Sequence, residues 1–217
     1  MNITNAIGCV ISTTLGELEI IKFLGKGKSG YSYLAQNLEH QYVVKFMHYE
    51  HCAYYSFGNA NKVELEVSAY GQLKRAGIRV PELLDANGER NYLVKEYIEG
   101  DLVTDLIIGG VLPELCIEQV CGMFQALKPI RLNIDYFPDN FVMSNGVLYY
   151  VDYEHNPYDD NWDLANWGLF YWANPHGMKA YRQTKDPLHI NESAESGLPI
   201  KQPFIETVNG WVNAYCG

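Results

Sequence analysis

Cysteine is scarce in this chain, cations are outnumbered, and no long apolar run occurs in its 217 residues. The five cysteines, Cys9, Cys52, Cys116, Cys121 and Cys216, are odd in number and contain no C-x-x-C pair. That argues for reduced, mostly packed thiols in a cytosolic protein rather than a paired framework. Lys and Arg number 16 against 26 Asp and Glu, a net charge of −10. A duplex nucleic acid needs several cations to displace its counterions, so nucleic acid is not an expected partner. No stretch approaches ~18 consecutive apolar residues, and no basic start is followed by an apolar run. The expectation is a soluble, cytoplasmic chain with no membrane partner. Repeats and low-complexity tracts are also missing. With 47% hydrophobic residues, the chain has enough apolar material for one large core or two small ones, which excludes disorder.

The charge that is present is unevenly placed. Residues 22–45 carry Lys22, Lys26, Lys28 and Lys45 against Glu39, a balance of +3. Residues 131–163 carry Asp135, Asp139, Asp152, Glu154, Asp159, Asp160 and Asp163 against Arg131, a balance of −6. Two solvated faces would account for this. So would a site for a phosphate anion and a divalent cation.

Periodicity divides the chain in two. Leu18–Leu24, Tyr31–Ala35, Tyr42–Met47, Val80–Leu84 and Asn91–Ile98 read as strands. Between them, Val63, Val67, Tyr70 and Leu73 recur at helical spacing, with Asn59 or Asn61 as cap and Gly77 past the end. The predicted fold class is α+β: an N-terminal lobe of five antiparallel strands and one helix over residues 1–97, then a reduced helical lobe over 98–217. Pro113 opens a helix to about Lys128. Phe141–Met143 and Val147–Val151 form a hairpin turning at Asn145-Gly146. Helical patterns return near Asp163–Trp172 and Phe204–Tyr215.

Three groups of residues could carry chemistry. Gly25-Lys26-Gly27-Lys28-Ser29-Gly30 fits G-x-G-x-x-G, and the strand-like Tyr31-Ser32-Tyr33-Leu34 follows it. A dinucleotide fingerprint needs a helix there. Strand, glycines, strand instead makes a flap whose backbone N–H groups can cover phosphates. Lys45 closes the apolar run Tyr42-Val43-Val44, and a buried ammonium there needs a carboxylate. The helix offers Glu66, on its apolar side, or Glu64. The third group is Asp135-Tyr136-Phe137-Pro138-Asp139-Asn140, the hairpin, then Asp152-Tyr153-Glu154. Antiparallel pairing brings Asn140 and Asp152 together at the hairpin mouth, within about 5 Å between paired positions. Two hard oxygen donors there suit Mg²⁺. Asp135 faces the same mouth as an acceptor for a hydroxyl proton. His48-Tyr49-Glu50-His51-Cys52 looks metal-like but lacks a second ligand cluster, and Trp162, Trp167 and Trp172 read as core.

Together these segments resemble the protein-kinase superfamily over about residues 18–172. Leu24–Ala35 resembles its glycine-rich loop, and Tyr42–Lys45 the strand of its phosphate-binding lysine. Lys95-Glu96-Tyr97-Ile98-Glu99-Gly100 resembles its hinge, Asp135 to Asn140 keeps D-x-x-P-x-N, and Asp152 stands where the D-F-G aspartate belongs. The resemblance implies a bilobal phosphotransferase that holds ATP and Mg²⁺ between its lobes. Gly25, Gly27 and Gly30 would cover the phosphates. Lys45 would clamp them, oriented by Glu66, while the backbone of Glu96 and Tyr97 meets the adenine. Asp135 would be the catalytic base, with Asn140 and Asp152 as metal ligands.

The departures are specific. Asn133 and Ile134 replace the His-Arg before the catalytic Asp, Phe137 replaces a cation, and no A-P-E follows. Asp152-x-Glu154 with Asp163-Leu164-Ala165 is more similar to choline and aminoglycoside kinases, and by that resemblance Asp163 would buttress the catalytic loop. The chain is nevertheless short for such enzymes. The expected function is therefore that of an atypical, minimal Ser/Thr protein kinase. A small-molecule hydroxyl kinase is the alternative, and a nucleotide-binding pseudokinase acting through partners the third reading.

Overall fold

The computed structural model describes residues 2–50, 58 and 60–217. The chain divides into two compact units: Met1–Gln72 with Pro81–Tyr97, and Leu73–Val80 with Ile98–Gly217.

The first unit is a curled, all-antiparallel sheet of six strands in the order β1-β2-β3-β4-β6-β5. The strands are β1 (Val10–Thr13), β2 (Gly16–Lys26), β3 (Gly30–Gln36), β4 (Gln41–Met47), β5 (Leu83–Asn87) and β6 (Tyr92–Glu96). Alternation builds its core: Leu18 and Ile20 of β2, Tyr31, Tyr33 and Ala35 of β3, and Val44 and Phe46 of β4 all point inward. The expected five-strand sheet is corrected by β1. Its four residues pair with β2 and bury Ile11, too short a stretch for alternation to show. The fourth expected strand, Val80–Leu84, is also displaced. β5 begins at Leu83, and Val80, though buried, belongs to the second unit.

Helix α1 (Lys62–Arg75) is capped by Asn61, whose Oδ1 accepts the N–H groups of Val63 and Glu64 at 3.0 and 3.4 Å. Asn59 lies outside the described residues. The buried stripe is Val63, Glu66, Ala69 and Leu73, while Val67 faces outward. A carboxylate thus sits where the apolar pattern placed a valine.

The second unit mixes helices with two small sheets. Strand β7 (Asp101–Leu102) leads directly into α2 (Val103–Ile108), and α3 (Glu114–Leu127) follows. Strands β9 (Phe141–Ser144) and β10 (Val147–Tyr150) form the expected hairpin, with β7 beside β9. Asn145 and Gly146 take φ of 48° and 79°, the left-handed pair that this two-residue turn demands. Gln119 of α3 holds the hairpin at both ends of its amide, donating to Gly146 O at 2.9 Å and accepting Leu148 N–H at 2.8 Å. Strands β8 (Leu132–Ile134) and β11 (His155–Pro157) make a second, two-stranded sheet. A π-helical turn at Leu164–Gly168 continues into α4 (Leu169–Trp172), followed by α5 (Pro175–Thr184) and α6 (Ile205–Trp211). Trp172 is core as expected, whereas Trp162 is 41% exposed. No helix among the described residues is long and apolar enough to cross a membrane.

The expectation of reduced thiols is overturned at one pair. Cys121 of α3 and Cys216 are disulfide-bonded, with Cα atoms 5.0 Å apart and a sequence separation of 95, a spacing no local pattern reveals. Cys116 is a buried free thiol whose pKa burial pushes up to about 11, and Cys9 is also free. Cys52 lies outside the described residues. Closing so long a loop restricts the unfolded chain, so Cys216→Ser should lower stability by about 2–4 kcal/mol. Urea denaturation of the two proteins under oxidising conditions measures the difference.

Candidate functional site

The first unit gathers the glycines, Lys45 and Glu66. Strand β2 extends through Gly25 to Lys26 and β3 begins at Gly30, so the turn proper is only Gly27-Lys28-Ser29, closed by Gly27 N–H donating to Gly30 O at 2.9 Å. Gly30 is required by close approach: a Cβ there would lie 2.7 Å from Phe46 O and 3.1 Å from Lys45 Cγ. A Cβ at Gly25 or Gly27 would meet nothing within 4 Å, so those two leave open space over the turn.

Lys45 and Glu66 are both buried, and Lys45 Nζ lies 2.6 Å from Glu66 Oε1. The choice between Glu66 and Glu64 is thereby made, because Glu64 is exposed on the other face of α1. Ser29 adds a contact not anticipated from the sequence: its buried hydroxyl donates to the same Oε1 at 2.9 Å. Glu66 Oε2 is buried without a hydrogen-bond partner. Removing one partner breaks this buried ion pair, so Glu66→Ala should cost about 3–5 kcal/mol. Glu64→Ala, on the exposed face, should stay within about 0.5 kcal/mol of wild type. Chemical denaturation of the pair separates the two glutamates.

At the end of β6, Glu96 is exposed. Its N–H donates to Glu82 O at 2.9 Å, and its carboxylate accepts Glu82 N–H at 3.1 Å. Tyr97, half-buried, ends the unit.

The second unit gathers Asp135, Asn140, Asp152 and Glu154. Ile134 pairs with His155 across β8 and β11, so Asp135 leaves one strand where Glu154 enters the other. Phe141 pairs with Tyr150, and Val151 N–H donates to Asn140 O at 2.8 Å, which brings Asn140 to the hairpin mouth beside Asp152. Within the loop, Phe137 N–H donates to Asp135 Oδ1 at 3.0 Å, fixing the carboxylate. Asn140 Nδ2 donates to Asp135 O at 3.2 Å, which turns Asn140 Oδ1 away from the loop backbone. Asp152 Oδ1 accepts Tyr153 N–H at 2.8 Å.

A residue missing from the sequence reading organises this cluster. The Tyr150 hydroxyl, fully buried, donates to Glu154 O at 2.9 Å and accepts Asp135 N–H at 3.4 Å. Burial first, then the charges of Asp152, Asp135 and Glu154, raise its pKa well above that of an ordinary tyrosine. The charges of three carboxylates therefore bear on one hydroxyl. Its signal in the sequence was only the inward phase of Tyr150 in the hairpin. Among the described residues, no cluster of three or more His, Cys, Asp or Glu is arranged to hold a metal ion. Asn140 and Asp152 would have to share an ion with other oxygen donors.

The loop is braced from behind. Asn133 is buried and donates through Nδ2 to Trp162 O at 2.8 Å. Trp172 Nε1 donates to Tyr136 O at 2.8 Å, and a Cβ on Gly168 would fall 2.5 Å from Tyr136 Cβ. Asp163 is buried, caps the turn that follows by accepting Asn166 N–H at 2.8 Å, and accepts the Tyr158 hydroxyl at 2.9 Å. Phe137 packs edge-on against Tyr171 and Tyr181, with ring centroids 5.1 and 6.1 Å away. In the metal-like segment, His48 is committed to backbone contacts, and His51 and Cys52 lie outside the described residues. No protein-family model matches the chain, and a search of the curated proteins finds no match to it.

Proposed function

We propose that the protein is a Mg-ATP-dependent phosphotransferase with a protein-kinase-like, bilobal fold that transfers the γ-phosphoryl group to a hydroxyl. One observation carries this reading: the buried Lys45–Glu66 pair, 2.6 Å apart, beside the three-residue glycine turn. A buried ion pair is a poor way to stabilise a fold, because hydrophobic replacements do as well or better. Its presence calls for a reason outside folding, and holding an ammonium ready for phosphate oxygens is one.

The donor sets fit Mg-ATP. Gly25 and Gly27 leave open the space that side chains would fill. Asn140 and Asp152 offer two hard oxygen ligands, which suits Mg²⁺ because that ion takes its remaining ligands from phosphates and water. When bound, the ion neutralises charge on the phosphates. In this reading Lys45 binds the α- and β-phosphates, held in place by Glu66. Asn140 and Asp152 hold the metal. Asp135, fixed by Phe137 N–H, accepts the proton of the attacking hydroxyl. The Glu96 N–H is engaged by Glu82, so a base edge would be met by Tyr97 and by the carbonyl of Glu96.

The acceptor in this reading is a Ser or Thr hydroxyl of a protein. From Ile98 to Arg131 the second unit contains little beyond α2 and α3, which adds no element to enclose a small acceptor. A small hydroxyl compound is the second reading, favoured by Asp163 capping the turn of Asp163-Leu164-Ala165. The test is transfer of label from γ-labelled ATP by the purified protein, run in parallel on protein and metabolite extracts. Label on protein supports the first reading, and label on a small compound the second. Label on neither contradicts turnover and leaves the pseudokinase reading.

A further inference from the structure

The glycine turn is not a loose flap in this protein. Residues from outside the expected site engage three consecutive carbonyls. His48 follows β4 directly and is 6% exposed. Its Nδ1 accepts Glu50 N–H at 3.2 Å, which places the ring proton on Nε2, where it donates to Gly27 O at 2.9 Å. The His48 backbone N–H donates to Ser29 O at 3.0 Å. Lys62, 3% exposed at the start of α1, donates to His48 O and, at 3.5 Å, to Lys28 O. The imidazole also packs edge-on against Tyr31, with centroids 5.1 Å apart.

Planar trans peptides carry C=O and the next N–H in opposite directions. Drawing the carbonyls of Gly27, Lys28 and Ser29 towards His48 and Lys62 therefore turns the N–H groups of Lys28, Ser29 and Gly30 to the opposite side. Successive N–H groups aimed one way form an anion-binding nest.

We propose that His48 is a positioning residue for the nucleotide phosphates. It fixes the carbonyls of the turn and so preorganises the amides that cover the phosphate chain. The inference rests on the phosphotransferase reading and adds to it a residue outside the glycine motif. Because His48 acts on the turn and not on the base, its loss should weaken phosphate-dependent binding alone.

The test compares wild type with His48→Phe, which keeps the ring packing but removes both ring nitrogens, and with His48→Gln, whose amide N–H can reach the same carbonyl. Titration calorimetry with Mg-ATP and with adenosine gives the readout. His48→Phe should weaken Mg-ATP about tenfold or more while adenosine stays within ~2-fold, and His48→Gln should recover most of the loss. In the unliganded protein, hydrogen exchange at amides 28–30 should speed up in His48→Phe and return towards wild type in His48→Gln. Equal losses for ATP and adenosine, or no change in either, would overturn the positioning role while leaving the phosphotransferase reading intact. Wild type that binds neither ligand would instead defeat that reading, and this inference with it.

Discussion

Asp135→Ala should reduce phosphoryl transfer by roughly 10²–10⁴-fold, the usual contribution of a positioned general base, while leaving the response to Mg-ATP unchanged. The separation follows from where the residue sits. Asp135 belongs to the loop after β8, fixed by Phe137 N–H on Oδ1, and has no assigned part in holding the metal or the phosphates. A loop collapse could mimic the loss, so Asp135→Asn is the sharper variant. It keeps an oxygen for Phe137 N–H but removes the basicity, and it should be as inactive as Asp135→Ala. Should Asp135→Asn transfer label at the wild-type rate, Asp135 would be a structural residue and the base would lie elsewhere.

Asp152→Ala should abolish Mg-ATP binding itself. For wild type at about 100 times Kd, ligand linkage adds about 2.7 kcal/mol, which for a chain of this size raises Tm by about 5–10 °C. The variant should show almost none of this rise, and wild type stripped of divalent ions with a chelator should behave alike. The reason is electrostatic. The charges of Asp152, Asp135 and Glu154 all act on the Tyr150 hydroxyl, and a triphosphate brought near that negative charge is repelled unless a cation intervenes. Asp152 and Asn140 are the ligands available at the hairpin mouth, and one amide oxygen alone is a weak site for Mg²⁺. The apo melting temperature of Asp152→Ala serves as the control that binding, not folding, has been lost. A full shift in this variant would remove Asp152 from the proposed metal site.

The parts of the site that were legible in the sequence are those set by short-range pattern. Asn145-Gly146 dictated a hairpin, and the hairpin brings Asn140 opposite Val151, one residue before Asp152. Helical spacing put Glu66 on the buried face of α1, although the same spacing wrongly counted Val67 on it. What could not be read was set by distant partners. Strands β8 and β11 have three residues each and exist only through pairing with one another. Cys121 and Cys216 meet across 95 residues, and Tyr150 gains its role only when Asp135 and Glu154 converge on its hydroxyl. Nothing in the sequence around His48 shows that its ring bonds the backbone of the glycine turn. Helix α5 was missed despite a local signal. Asn174 caps it at Gly177 N–H, 2.8 Å away, with Pro175 at its first position, but Gly177 within the first turn masked the helical pattern.

The account requires the Lys45 group and the Asp152 group to act on one nucleotide. Acylation of Lys45 by an acyl-phosphate derivative of ATP, read by peptide mass spectrometry, tests this most directly. The amine attacks the acyl carbon and the nucleotide leaves, so only a lysine held against the phosphates reacts efficiently. The account predicts modification of Lys45 in wild type with Mg²⁺, suppressed by excess ATP and lost in Asp152→Ala. Modification of Lys45 that is indifferent both to ATP and to Asp152→Ala would contradict it.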